Sequence, residues 1–188
     1  MLTRRIPTLA VLALVALALV ACGRDQPAVV GTETVTADAR EAAPAISGTT
    51  LDGDQLDVAD LSGRVVVINS WASWCAPCRE EAPAFAALSR NSNPEDVVVV
   101  GLNVTDDATA ARGFVDEFSI PYPSIVDGEG AILRTIPGVP PSSLPSTVIL
   151  DRGGRIAARI VGGTDAIELG TLIAAVLEGS PGAPPASG

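Results

Sequence analysis

Arg64 to Ser70 reads RVVVINS and passes, with no turn signal between, into WASWCAPC, residues 71 to 78. An unbroken β-branched run suits a strand covered on both faces, because alternation is lost when neither face meets water. Residues Cys75 to Ser89, which carry Phe85 and Leu88 among alanines, then suit a helix. A buried strand feeding straight into a helix points to an α/β architecture. In open α/β sheets the working site lies where the carboxyl end of a strand meets the next helix. Cys75 and Cys78 occupy that junction.

The remaining pattern agrees. Val97 to Asn103 (VVVVGLN) predicts a second buried strand, and Asp107 to Phe118 a second helix with apolar Phe114, Val115 and Phe118. Thr147 to Asp151 (TVILD) and Arg155 to Val161 (RIAARIV) flank Arg152-Gly153-Gly154, which is hairpin turn chemistry. Thr49 to Leu61 reads as an earlier hairpin around Asp52-Gly53, and Asp165 with Glu168 as the capping pair of a last helix ended by Gly179. This order predicts a central mixed β-sheet flanked by helices on both faces, with an N-terminal β-hairpin extension.

The ends of the chain read differently. Arg4 and Arg5 precede an apolar run from Leu9 to Val20, shorter than the roughly 18 to 20 residues a membrane-spanning helix needs, so residues 1–21 read as an export signal. Leu19-Val20-Ala21-Cys22 resembles the bacterial lipobox, in which the cysteine is acylated and the leader is cut before it. A plain secretory signal cut nearby and an uncleaved anchor remain alternatives, and each version puts the body outside the cytoplasm. Residues 22–43, with no helical or strand period, read as the acylated cysteine and a flexible tether. The folded domain is expected over 44–179, and the Pro-, Gly- and Ser-rich residues 180–188 as a disordered tail.

The chain has three cysteines, no histidine, and a formal charge of -10 with 12 basic residues, all arginine. No Lys/Arg-dense strip exists to meet phosphates, so nucleic acid is not an expected partner. Zinc takes four ligands, and with no histidine and the third cysteine at the lipobox no metal is expected at Cys75 and Cys78. A structural disulfide suits an oxidising compartment, yet closing so short a loop stabilises little. The strand-to-helix position favours a redox pair. A helix N-terminus offers unpaired N–H groups and partial positive charge, which lowers the pKa of Cys75. Pro77 falls in the first turn, where its missing N–H is harmless, and Cys78 sits one turn in as the less exposed thiol. Arg79 either adds to the activation of Cys75 or is a solvated surface residue.

At these residues the sequence resembles the TlpA/ResA type of thioredoxin-like thiol-disulfide oxidoreductases, over about Pro44 to Gly179. The resemblance rests on Trp74-Cys75-Ala76-Pro77-Cys78 after an apolar strand and implies a thioredoxin-like fold. It further implies that Cys75 attacks a target disulfide and Cys78 resolves the mixed disulfide, with no cofactor beyond the Cys75–Cys78 pair itself. Pro83 matches the proline that kinks the family's helix. Pro145, after Leu144, matches the family's cis-proline, which lies against the disulfide and meets substrate backbone; on the residues alone it could also be a trans loop proline. Trp74, Ala76 and Pro77 complete the implied substrate surface, with Trp71 in the core. Asn69 stands where thioredoxin carries a buried acid. Glu81 fills the slot this branch uses instead, and is implied to exchange protons with the thiols; in the plain reading it is a first-turn Glu favoured by the helix dipole.

The resemblance also implies work on exported cysteine-containing proteins, such as the CxxCH haem site of apocytochrome c. Electrons would come from a membrane thiol reductant of the CcdA/DsbD type, at the extracytoplasmic face of the bacterial membrane, or from the secreted state if the lipobox is not used. A disulfide-forming oxidase has the same residues and differs only in potential. Ala43-Pro44-Ala45 resembles the opening of peroxiredoxins, but the Pro-x-x-x-Thr-x-x-Cys setting of their peroxidatic cysteine is absent. A binding lipoprotein without catalysis is the remaining class.

Overall fold

The computed structural model describes residues 31–179. The leader, Cys22 and the tail 180–188 lie outside the described residues. β4 (Val65–Trp71) is buried along its whole length, as its unbroken apolar run requires. It pairs in parallel with β5 (Val97–Val104) and antiparallel with β7 (Ser146–Leu150). β6 (Ser124–Asp127) adds in parallel beyond β5. On the other side β8 (Ile156–Val161) and then β1 (Gly31–Thr34) add antiparallel beyond β7. The mixed sheet therefore runs β1-β8-β7-β4-β5-β6. β2 (Ser47–Thr49) and β3 (Gln55–Asp57) form the expected hairpin, with Gly53 at φ 95° in its turn.

Three helices follow: α1 (Ala76–Asn91), α2 (Ala108–Phe118) and α3 (Ala166–Glu178). Each begins on a cap. Asp107 accepts from Thr109 N and Ala110 N, and Asp165 from Ile167 N and Glu168 N, satisfying amides that have no partner within the helix.

Both sheet faces are covered, though by unequal material. Val65, Val67 and Trp71 of β4 meet Phe85 of α1, Phe114 of α2 and Leu169 and Ile173 of α3 in one core cluster. Val66 and Ile68 point the other way, into a second cluster with Ile46, Ile125 and two 3₁₀ turns that contribute Val58 and Leu133. Among the described residues all three α-helices share a face: β4–α1–β5 and β5–α2–β6 step in the same direction, so right-handed crossovers put α1 and α2 on one side, and Leu169 and Ile173 bring α3 into the same cluster.

Residues 31–43, expected as tether, are part of the fold. β1 pairs with β8 at the sheet edge, Val35 N donates to Ala157 O, and Ala42 bridges to Arg155. Arg40 pairs with the buried Asp151 at 3.2 Å, which pins the segment at the far end of the sheet. The sequence of β1, GTET, has no apolar alternation; backbone pairing to β8 orders it. β6 carries no sequence signal either, since its four residues are too few to carry a period.

Candidate active site

β4 ends at Trp71, and the chain turns through Ala72 and Ser73 to deliver Cys75 as the N-cap of α1. Cys75 and Cys78 are joined in a disulfide with Cα atoms 5.3 Å apart. Cys75 Sγ accepts from Cys78 N at 3.3 Å, so one free amide of the helix start points at the sulfur. Pro77 lies in the first turn and Pro83 inside the helix. Both cysteines are closed off in this state, at 4% and 2% exposed, so the expected difference between them is small with the disulfide formed.

The neighbouring surface is open. Trp74 is 64% exposed, and Ala76 and Pro77 are exposed beside it. Trp71 is buried and stacks on Phe114 with centroids 4.5 Å apart, its indole N–H reaching Ser124 Oγ at 3.3 Å. The Leu144–Pro145 bond is cis. Ser146 pairs with Ser70 and Pro145 O accepts from Gly162 N, which puts the proline at the disulfide's end of the sheet, level with Trp71. Leu144 is half-buried and packs against both core clusters.

Glu81 is 3% exposed on the inner face of α1. Its Oε1 accepts from Asn69 Nδ2 at 2.7 Å and its Oε2 from Thr164 N at 3.1 Å. Burial pushes the carboxyl up from an ordinary 4.5 to about 7, against the pull of those two hydrogen bonds. Burial, and after it the same charge, raises the phenol of Tyr122. Glu81 is thus no surface first-turn Glu, and one side of it lines an open cleft with Pro77, Glu80, Gly163 and Thr164.

Arg79 follows the second of its two readings, a surface residue with its side chain 38% exposed. It pairs with Glu117 of α2, and its guanidinium lies 5.0 Å from the Phe118 ring centroid and 5.7 Å from that of Phe114. Its charge is committed to α2. Glu168 accepts from the hydroxyls of Thr164 and Thr32, so Asp165 caps α3 without a reciprocal partner.

Asp106, between β5 and α2, carries weight that its sequence did not signal. Its carboxylate accepts from Ser73 N at 2.6 Å, Ser73 Oγ at 2.7 Å, Asn103 Nδ2 at 2.9 Å and Asp107 N at 3.0 Å. Trp74 Nε1 donates to the carbonyl of the adjacent Thr105, a residue held at φ 50°. This turn clamps the loop that presents Cys75. In sequence, Asp106 and Asp107 look like one pair of helix-capping acids.

A paired Cys-x-x-Cys capping a helix at the end of a central strand, with a cis-proline alongside, defines a thiol-disulfide oxidoreductase with a thioredoxin-like fold. The chain belongs to the Redoxin family, whose sequence pattern matches residues 38–172. It is 30% identical over 120 residues to the thiol-disulfide oxidoreductase ResA of Bacillus thuringiensis, covering 64% of this chain and 68% of that one. Among solved structures, a DsbF homologue from Corynebacterium diphtheriae superposes with a TM-score of 0.75 at 32% identity, over 80% of this chain and 96% of that one. A secreted thiol-disulfide isomerase from Corynebacterium glutamicum gives 0.71 at 28%, over 84% and 96%.

Proposed function

We propose that this protein is a lipid-anchored, extracytoplasmic disulfide reductase that keeps cysteine pairs of exported proteins reduced, apocytochrome c among the candidate targets. Cys75 is the attacking thiol. As its thiolate it takes one sulfur of a target disulfide and displaces the other as a thiolate; Cys78 then attacks the Cys75 sulfur, releasing the second target thiol and leaving the Cys75–Cys78 disulfide. A membrane dithiol of the CcdA/DsbD type supplies the two electrons that reopen it. The substrate backbone meets Trp74, Ala76, Pro77 and the Leu144–Pro145 bond, and Cys22 carries the lipid.

The observation that supports this reading is Glu81, buried one helical turn beyond Cys78 and held near pKa 7. A group that gains and loses a proton near neutrality suits a reaction in which Cys78 must shed a proton to attack and regain it later. Membrane attachment draws on the lipobox resemblance at Cys22 alone; no helix among the described residues is long and apolar enough to cross a membrane.

The test is the reduction potential of the chain from residue 23 onward, equilibrated in dithiothreitol or glutathione buffers. A value near or below about -270 mV supports a reductase, and one near about -120 mV marks an oxidant that inserts disulfides. Absence of any reversible two-electron transition would sink the redox reading.

A further inference from the structure

Gly31, Val161, Ser146 and Ser70 form one row across the sheet, through the pairs Gly31–Val161, Val161–Ser146 and Ser146–Ser70. That row ends one residue short of Trp71, where β4 gives way to the cysteine loop. The chain coming from Cys22 therefore enters the fold at the disulfide's end. Thr32 fixes the entry by donating to Glu168, whose other oxygen accepts from Thr164 Oγ1 at 2.7 Å, beside the cleft over Glu81.

The other terminus leaves at the opposite end. α3 starts beside Thr164 and runs down to Gly179, which lies against Arg40, the partner of Asp151 at the bottom of β7. Only residues 23–30 separate Cys22 from β1. Nine Cα steps span at most about 30 Å, comparable to the ~23 Å length of the seven-residue β4.

We infer that the exposed face formed by Trp74, Ala76 and Pro77 is presented toward the membrane, and that its partner there is a membrane-held protein disulfide. The inference rests on the proposed lipidation of Cys22. An anchor entering at the disulfide's end on so short a lead holds the reacting sulfurs in the layer such a partner occupies, raising effective concentration without any added contact. Anchored from Gly179, the same domain would carry its sulfurs a full strand length further out.

The test holds the chemistry constant and moves the anchor. Two versions of residues 22–188, both with Cys22→Ser, carry a hexahistidine tag at either the N- or the C-terminus. Each is bound, reduced, to phosphatidylcholine vesicles containing nickel-chelating lipid and a cystine peptide coupled to a lipid headgroup. The measured quantity is the rate on the vesicle-held peptide divided by the rate on the same peptide free in solution. The expected ratio is at least about five-fold higher for the N-terminal anchor. Equal ratios, or a higher one from the C-terminal anchor, overturn the inference. So does an intact mass of the native membrane-fraction protein without acyl chains on Cys22, and in that case the oxidoreductase reading still stands on the free-peptide rate. Failure of both versions on the free peptide removes that reading as well.

Discussion

Asn69 of β4 donates its side-chain amide to Glu81 of α1 at 2.7 Å, inside the core and three residues beyond Cys78 on the same helix. Two polar side chains from adjacent elements thus satisfy each other where water is excluded, and Thr164 N takes the second carboxylate oxygen. The arrangement leaves Glu81 able to hold or release a proton near neutral pH.

Exchange catalysis should therefore follow that proton. With Glu81 ionised, it can accept the proton of the resolving thiol, so the rate of mixed-disulfide resolution rises with pH through about 7. Glu81→Gln keeps the shape and the bond from Asn69 but cannot titrate. Its stopped-flow profile should lose the inflection near pH 7 and run about ten-fold slower above it, a lesser loss than full general-base removal because hydroxide and buffer still reach the thiol. An unchanged profile would exclude Glu81 from proton transfer.

Stability carries the same signature with a defined sign. The folded pKa is raised to about 7 from an ordinary 4.5, so between these values the folded chain keeps a proton that the unfolded chain has lost. The contribution is fully present below about pH 4.5 and disappears as pH rises to about 7, a loss of up to about 3 kcal/mol. Urea unfolding of the oxidised protein should show this decline, and the Glu81→Gln curve should lack it, so that the difference between the two curves isolates the carboxyl's contribution.

The parts that were legible in sequence are those fixed by local chemistry. RVVVINS had to be a covered strand, Cys75-Ala76-Pro77-Cys78 a helix start, and Arg152-Gly153-Gly154 a hairpin turn. β1 and β6 escaped because they are four-residue pieces whose order comes from pairing with a neighbour rather than from periodicity. The burial of Glu81 was open for a related reason. Its partners Asn69 and Thr164 lie 12 and 83 residues away, and only the closed fold puts them on one carboxylate. Asp106 was invisible beside Asp107, since only its reach back to Ser73 separates a clamp from a cap.

That clamp should set the order of the cysteine loop. Asp106→Ala removes the acceptor of Ser73 N, Ser73 Oγ and Asn103 Nδ2 together, leaving two side chains and an amide to find water. The expected cost is about 2 kcal/mol in thermal or urea unfolding. Trp74, held through the neighbouring Thr105 carbonyl, should gain motion, seen as a drop in steady-state fluorescence anisotropy. Ser73→Ala should reproduce part of both effects. An Asp106→Ala protein with wild-type anisotropy would show that the loop is held by its packing alone.

Gly101 offers a sharp structural test, because its hydrogen faces the side chains of Ser124 and Trp71 at close range. It pairs with Asn69 on one side and Ser124 on the other, while the indole of Trp71 crosses above it to reach Ser124 Oγ. A Cβ at this position would lie 2.1 Å from Ser124 Oγ and 2.8 Å from Trp71 Nε1. Neither neighbour can retreat: Ser124 is buried in β6, and Trp71 is stacked on Phe114. Gly101→Ala must then displace the indole or open the β5–β6 pairing, at a cost of about 3 kcal/mol. Because Trp71 leads directly into the cysteine loop, the displacement should also reach Cys75. The expected result is a lower unfolding midpoint together with faster alkylation of Cys75 in the reduced protein. A lower midpoint with an unchanged alkylation rate would place the strain in β6 and leave the cysteine loop intact.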